Sequence, residues 1–195
     1  MFEILRMVVV LSLITGVCSA ALTSANILLS PYMEKQTDFH VRGPALERLF
    51  GKPAEELLDN KVTVRTDRGD VPVFFTRDGE TVSTIAVEAV GKGGYGGDLK
   101  ILVGIDLVNN TQIGMEVVSH SETPGLGARI EEPGFRSQWK GLPLDKPATL
   151  AANGGTIDAI SGATNTSIAA VNGTNDIITF IREHRDEVLQ LIAEM

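Results

Sequence analysis

The chain has 195 residues, with 17 basic and 25 acidic side chains and a formal net charge of −8. This length accommodates one ordinary domain with an additional segment, and the acidic balance argues against nucleic acid as a partner. The single cysteine, Cys18, excludes an internal disulfide framework and a cysteine-held metal cluster, and the three histidines lack the spacing of zinc ligands.

The N-terminal region is apolar. Residues 7–33 contain no charged side chain, and this run exceeds the ~20 residues that a membrane-spanning helix needs. Arg6 precedes the run, and this weak positive bias favours a cytoplasmic N-terminus. A cleaved signal peptide or a lipoprotein signal at Cys18 is the alternative, but the run is longer than a signal peptide requires. We therefore predict a cytoplasmic N-terminus over 1–6, a transmembrane signal anchor over 7–30 and an extracytoplasmic domain over 31–195.

Short helices and then strands are predicted after the span, which Pro31 ends. Pro44 stands at the start and Gly51 just past the end of one helical segment, and a second such segment covers 53–59. Beyond these helices the apolar residues alternate, which is typical of strands, and Pro72 restricts the second strand to an edge or a strand start. The predicted strands are 62–66, 71–75, 81–90, 99–108 and 112–119, with Asn109 and Asn110 at the last turn.

Two loops beside these strands have unusual compositions. Residues 91–97 hold five glycines and Tyr95, which fits either a flexible hairpin loop or a backbone pressed against a flat ligand, with the tyrosine covering a ring. On the last predicted strand, Ile113 is expected to face the core together with Met115. That strand leads into 120–127, a turn made rigid by its proline and glycines.

Helical signals dominate the end of the chain. Residues 131–141, which include Phe135 and Trp139, are predicted to form a surface helix followed by a turn. The segment after Thr164 has apolar residues at helical spacing, and 173–175 are expected to break or kink this helix. Together the elements predict an α+β fold: a twisted, mostly antiparallel sheet with packed helices, preceded by one N-terminal transmembrane helix.

The segment 158–167 has the strongest functional signal. A β-prone run over 156–160 is predicted to turn at Gly162 into the start of a helix, where unpaired N–H groups and the helix dipole favour a phosphate. A hydroxyl-capped helix that follows a strand accounts for the same pattern without a ligand. Four hydroxyl side chains surround this turn: Ser161, Thr164, Thr166 and Ser167.

These motifs resemble those of a known family. Asp-x-x-Ser-Gly-Ala-Thr over 158–164, followed by x-Thr-Ser, resembles the flavinylation motif of the FMN-binding domain family. Residues 120–127 resemble the His-x-Glu-Thr-Pro-Gly-Leu-Gly signature of that family, and 91–97 resemble its Gly-aromatic-x-Gly element. The family includes the G subunit of Rnf-type ion-translocating oxidoreductases and the C subunit of the sodium-pumping NADH:quinone oxidoreductase.

The resemblance implies a covalent cofactor. In that family the final threonine of the motif carries FMN through a phosphoester made by a dedicated flavin transferase, which implies attachment at Thr164. Asp158 is expected to assist the transferase reaction or to orient the loop. Glu122 is expected beside the flavin ring or in a structural network, because an anion near the phosphate would be unfavourable. The other implied cofactor contacts are Ser161, Gly162, Ala163, Thr166, Ser167, Tyr95, Thr123 and Leu126.

The resemblance also implies a role in a membrane complex. The modest size and single span favour the Rnf G subunit, an electron carrier in a complex that couples ferredoxin:NAD electron transfer to Na⁺ or H⁺ translocation. The chain would then be a redox subunit rather than an independent catalyst. Multispanning partner subunits would move the ions, because one helix without charges offers no pathway.

Other functions stay open at this stage. Within the family, the chain could be the C subunit of the quinone reductase or an anchored flavoprotein of another respiratory reductase. Outside it, a membrane-anchored binding module without redox activity is the main alternative. A hydrolase that uses Ser161 or Ser167 lacks assignable histidine and aspartate partners.

Overall fold

The structure is a computed structural model that describes residues 2–67, 69–79 and 81–195. The chain divides into two compact units, residues 1–40 and 41–195. In the first unit, helix α1 covers Phe2–Thr37 and none of its side chains is buried. Within the described residues this is the one helix that is long and apolar enough to cross a membrane. Pro31 lies inside α1, so the helix continues past the predicted end of the span.

Two short helices begin the second unit, as predicted. A π-helical turn, Asp38–Arg42, leads to α2 over Gly43–Phe50, and α3 covers Ala54–Asp59. Gly51 follows α2 with a left-handed φ of 67°, and its N–H donates to the carbonyl of Glu47 at 2.8 Å. A glycine in this conformation is a common helix terminator, because it satisfies a free carbonyl without a Cβ clash.

One five-stranded antiparallel sheet forms the centre of this unit, and each strand pairs with its neighbours in sequence. This confirms the α+β prediction. Pro72 lies where β2 pairs only with β1, because the pairing of β2 with β3 begins at Val73. The missing N–H of the proline is tolerated there. The strands are β1 (Lys61–Thr66), β2 (Gly69–Asp78), β3 (Thr81–Gly94), β4 (Gly97–Asp106) and β5 (Thr111–Ser119).

The sheet is covered on both faces. Helix α5, Thr164–Ala193, contributes to the larger apolar cluster on one face, where Val73 and Phe75 lie. Phe74, between them, belongs to the smaller cluster formed with α2 and α3. Successive residues of a strand point to opposite faces, so consecutive apolar residues in β2 serve two cores.

A register shift in the β4–β5 hairpin makes one predicted orientation wrong. The pairing shifts between Gly104 and Ile105, so Gln112 rather than Ile113 lies opposite Ile105. An extra residue in one strand reverses the alternation on one side of the shift, and no composition rule places it in advance. Gln112 is consequently 1% exposed, and its amide has no hydrogen-bond partner within the described part of the chain.

The turn of this hairpin is built around Asp106. Its carboxylate accepts hydrogen bonds from the backbone N–H groups of Val108 and Asn109, each at 2.9 Å, and from the Asn109 side chain at 2.7 Å. The bonds from Asn109, backbone first, lower the pKa of Asp106 below its usual value. Asn110 completes the turn with a positive φ of 52°.

Two helix predictions are wrong in form. The segment predicted as a surface helix over 131–141 follows a 3₁₀ turn (Gly127–Glu131) and consists of the short helix α4 (Pro133–Arg136) and a second 3₁₀ turn (Ser137–Trp139), because Phe135 and Trp139 are buried in the core. Helix α5 also continues unbroken through Gly173. That glycine marks a close contact: a Cβ there would lie 3.1 Å from the backbone of Gly91.

Candidate functional site

The hydroxyl motif, residues 158–167, forms a tight turn and the start of α5. The β-prone run expected over 156–160 forms only one bridge residue, Ile157, which pairs with Leu150. Gly162 has a φ of 79°, and the N–H of Ala163 donates to the carbonyl of Ile160 at 2.9 Å, which closes the turn. Helix α5 then begins at Thr164. The motif therefore follows an isolated bridge rather than the predicted strand.

The four hydroxyls of the motif divide into two pairs. Ser161 and Thr164 are exposed, whereas Thr166 and Ser167 are fully buried. The Ser167 hydroxyl accepts the N–H of Ile160 at 2.9 Å and donates to the carbonyl of Ala163 at 3.2 Å. Ser167 therefore holds the turn closed from inside, while Thr164 faces outward at the first residue of the helix.

The start of α5 is suited to an anion. The helix has 30 residues, and its N-cap, Ala163, provides no side-chain hydrogen bond. The first N–H groups of a helix have no partner within it, and the aligned peptide dipoles place partial positive charge at that end. An exposed hydroxyl on Thr164 and these N–H groups thus occur together, which is an arrangement that fits a phosphate ester.

The buried carboxylate of Glu122 connects the motif to the other two segments that resemble the family, 91–97 and 120–127. Glu122 is 6% exposed, and its Oε2 accepts a hydrogen bond from Thr166 Oγ1 at 2.9 Å. Its Oε1 accepts the N–H of Gly96 at 3.2 Å. The N–H of Glu122 donates in turn to Nδ1 of His120 at 3.0 Å, and Nε2 of that ring lies 3.2 Å from Glu131 Oε1. Glu122 therefore joins the glycine-rich hairpin, the 120–127 loop and α5.

The glycine-rich segment forms the ends of β3 and β4 and the turn between them. Strand β3 extends to Gly94 and β4 begins at Gly97, so Tyr95 and Gly96 form a two-residue turn. A Cβ on Gly94 would collide with the Glu122 carboxylate. Glycine fits there because the Glu122 carboxylate and the backbone carbonyl of Gly97 occupy the space that a side chain would need.

Exposed apolar side chains lie beside the motif. Leu126 is 49% exposed, and its Cδ2 lies 3.4 Å from the position of a Cβ on Gly162. Ile168, one helical turn after Thr164, is 39% exposed, and Tyr95 is 78% exposed. Leu126 and Ile168 thus offer an exposed apolar surface next to a helix end that is suited to an anion. Two clefts elsewhere on the domain, of about 690 and 570 Å³, include no residue of the motif or of the 120–127 loop.

Two of the predicted site residues are exposed, and one contact of the motif was missed by the sequence analysis. Asp158 and Thr123 are exposed, and the Thr123 carbonyl accepts the N–H groups of Leu126 and Ala128. Gln138 makes two hydrogen bonds to the backbone of Asp158, but no sequence signal indicated this contact. Twenty residues separate the two, so only the packing of the chain brings them together.

Comparison with known families agrees with this geometry. Residues 94–179 match the model of the FMN-binding domain family. The resemblance inferred from the motifs is thereby confirmed. The matched segment of the FMN-binding domain includes the turn with Tyr95, the 120–127 loop and the motif at the start of α5.

The similar proteins belong to redox complexes. The G subunit of the ion-translocating oxidoreductase complex of Shewanella piezotolerans is 36% identical over 124 residues, which cover 60% of this chain and 58% of that protein. The corresponding G subunit of Cereibacter sphaeroides is 35% identical over 147 residues, covering 69% and 66%. The match thus spans only about three fifths of the first relative and two thirds of the second.

A solved structure shares the fold. The C subunit of the Na(+)-translocating NADH-quinone reductase from Parabacteroides distasonis superposes with a TM-score of 0.57 at 21% identity, covering 80% of this chain and 94% of that one. At this level of identity the likeness concerns the arrangement of the sheet and helices. It agrees with the antiparallel sheet described above.

Proposed function

We propose that this chain is an electron carrier that holds FMN covalently on Thr164. The observation that carries the proposal is the position of that hydroxyl: it is exposed at the first residue of a helix whose N-terminus lacks a side-chain cap. Thr166 and Ser167, the adjacent hydroxyls, are committed to internal hydrogen bonds. The match to the FMN-binding domain family supports FMN as the cofactor.

The residues around the motif fit the parts of FMN. The N–H groups at the start of α5 would hold the phosphate, and the small residues Gly162 and Ala163 would allow it to approach the backbone. Leu126 and Tyr95 would contact the ring system. The exposed hydroxyls of Ser161 and Thr123 are candidates for polar contacts. The buried Glu122, Thr166 and Ser167 would contribute indirectly, by keeping the turn in shape.

A covalent bond suits this open site. The apolar surface beside the motif is exposed, so non-covalent contacts alone would bury only part of a flavin. Attachment would form a bond between Thr164 Oγ and the FMN phosphorus, while the bond from phosphorus to the leaving phosphate of a phosphoanhydride flavin donor breaks. The hydroxyl proton is released and no electron is transferred. The bound flavin would supply the electron chemistry.

At the scale of the complex, we propose that the chain belongs to an Rnf-type assembly that couples ferredoxin:NAD electron transfer to Na⁺ or H⁺ translocation. The similarity to G subunits of ion-translocating oxidoreductase complexes supports this reading. Helix α1 would anchor the chain with residues 1–6 in the cytoplasm, 7–30 in the membrane and 31–195 outside. The partners would be multispanning subunits, and a flavin transferase would mature the chain. The C subunit of a sodium-pumping quinone reductase is the second candidate, because of the shared fold.

The first test is the retention of flavin after denaturation. The full chain would be co-expressed with a flavin transferase, precipitated in acid and analysed by intact mass spectrometry. We expect an FMN-sized adduct on the parent chain and none on Thr164→Val. Thr179→Val, which alters another exposed threonine of α5, is the matched control and should carry the adduct. An adduct that persists on Thr164→Val would move the attachment to another hydroxyl, and no adduct on any chain would reject the flavin proposal.

A further inference from the structure

The motif turn is held from outside by a side-chain amide. Gln138 Oε1 accepts the N–H of Asp158 at 2.6 Å, and Gln138 Nε2 donates to the carbonyl of the same residue at 3.2 Å. In an antiparallel sheet, a residue exchanges the same two bonds with the backbone of a partner strand. The side-chain amide of Gln138 therefore makes the two hydrogen bonds to Asp158 that a neighbouring strand would make in a sheet.

Ile157, the residue before Asp158, is held by backbone hydrogen bonds. Ile157 bridges to Leu150, and the N–H of Ala151 donates to the carbonyl of Ile157 at 2.8 Å. Gln138 continues this support by one residue, up to Asp158. The Asp158 side chain is left exposed, although both polar groups of its backbone are bonded.

The residue that carries this amide is next in sequence to a side chain of the core. Its neighbour Trp139 is fully buried, and the indole N–H donates to Thr174 Oγ1 at 2.7 Å. Thr174 belongs to α5, the helix that begins at Thr164. The ring of Phe135 packs against Trp139 with centroids 5.1 Å apart. The side chain that fixes one end of the motif is thus attached through the core to the helix at the other end.

We propose that Gln138 is a positioning residue for flavin attachment. It acts through the Asp158 backbone: it holds residues 158–163 in one conformation, so that Asp158 and Thr164 are presented to the transferase in a fixed relation. This inference rests on the proposed function, because it concerns the same attachment site. It assigns a role to a residue outside the hydroxyl motif and outside the 120–127 signature.

The test combines two measurements on the full chain in detergent. Gln138→Leu removes both hydrogen bonds, and Gln190→Leu, an exposed glutamine near the end of α5, is the matched control. Before flavin is added, hydrogen exchange in the peptide containing Asp158 should be about tenfold faster in Gln138→Leu than in the parent. The initial rate of flavin attachment should fall about fivefold, in kcat rather than in KM for the chain. Gln190→Leu should match the parent in both.

A second variant is included in case Gln138→Leu misfolds. Gln138→Glu keeps an acceptor for the Asp158 N–H but lacks the donor to its carbonyl, so its attachment rate should lie between those of the parent and Gln138→Leu. Parent-like exchange in Gln138→Leu, or a parent-like attachment rate despite faster exchange, would overturn the proposal. If the parent took no flavin while a control substrate did, the proposed function would fail and the positioning role with it; the exchange data would still report the hydrogen bonds themselves.

Discussion

Thr164 and Ser167 have similar chemistry but different surroundings. Both carry a hydroxyl in the first turn of α5, yet Thr164 is exposed and Ser167 is fully buried. Three residues correspond to most of a helical turn, but the side that faces the core depends on how α5 packs on the sheet. The sequence therefore indicated the hydroxyl cluster, and the family resemblance pointed to Thr164, whereas the burial of Thr166 and Ser167 could be read only from the fold.

Ser167 provides a test at this scale. Ser167→Ala leaves the Ile160 N–H without its acceptor and removes the bond to the Ala163 carbonyl. A buried group that loses its partner costs about 1–3 kcal/mol, so we expect the free energy of unfolding in urea to fall by about that amount. Ser161→Ala, at an exposed position of the same motif, should stay within about 0.5 kcal/mol of the parent. Equal stabilities of the two variants would contradict the internal role of Ser167.

At the scale of elements, Gly173 and Gly91 lie at the contact between α5 and the sheet. A Cβ on Gly173 would lie 3.0 Å from Ile101 Cδ1 and 3.1 Å from the backbone of Gly91. Gly173 was predicted to interrupt the helix, because glycine has low helix propensity. The contact explains why glycine occurs within an unbroken helix: it lets α5 approach β3 closely, and packing outweighs propensity.

This contact predicts different effects on stability for two glycine substitutions. Gly173→Ala should destabilise the chain, because overpacking costs about 1–3 kcal/mol and exceeds the gain in helix propensity of about 1 kcal/mol. Gly134→Ala, in α4, has no atom within 4 Å of the new Cβ and should be neutral or slightly stabilising. Thermal unfolding of both variants against the parent measures this. A Gly173→Ala chain that melts at or above the parent temperature would show that the helix can shift at no cost.

The elements that were predicted correctly are those with strong local signals. Apolar alternation predicted all five strands, and proline and glycine marked the ends of α2. The prediction of a surface helix over 131–141 was wrong because the burial of Phe135 and Trp139 divides this segment into short helical turns. The prediction that Ile113 faces the core was wrong because a register shift places Gln112 there instead. Such a shift has no local sequence signature. In each failure a tertiary contact overrides the local pattern.

At the scale of the whole molecule, the proposed membrane anchoring depends on α1. Its apolar side chains are exposed along the entire helix, which is unfavourable in water and expected in lipid. We expect the full chain to sediment with membranes, to resist alkaline carbonate and to dissolve in detergent. A chain that begins at Val41, the start of the second compact unit, should remain in solution without detergent. Release of the full chain by carbonate would contradict the anchor.

Peptide mapping shows directly whether Thr164 bears the flavin. Trypsin should release residues 141–182 as one peptide, because Lys146 is followed by proline; this peptide contains every hydroxyl of the motif. We expect fragmentation of the flavin-bearing peptide to locate the FMN phosphate on Thr164. Location of the phosphate on Ser161, Thr166 or any other residue, or flavin absent from this peptide, would contradict it.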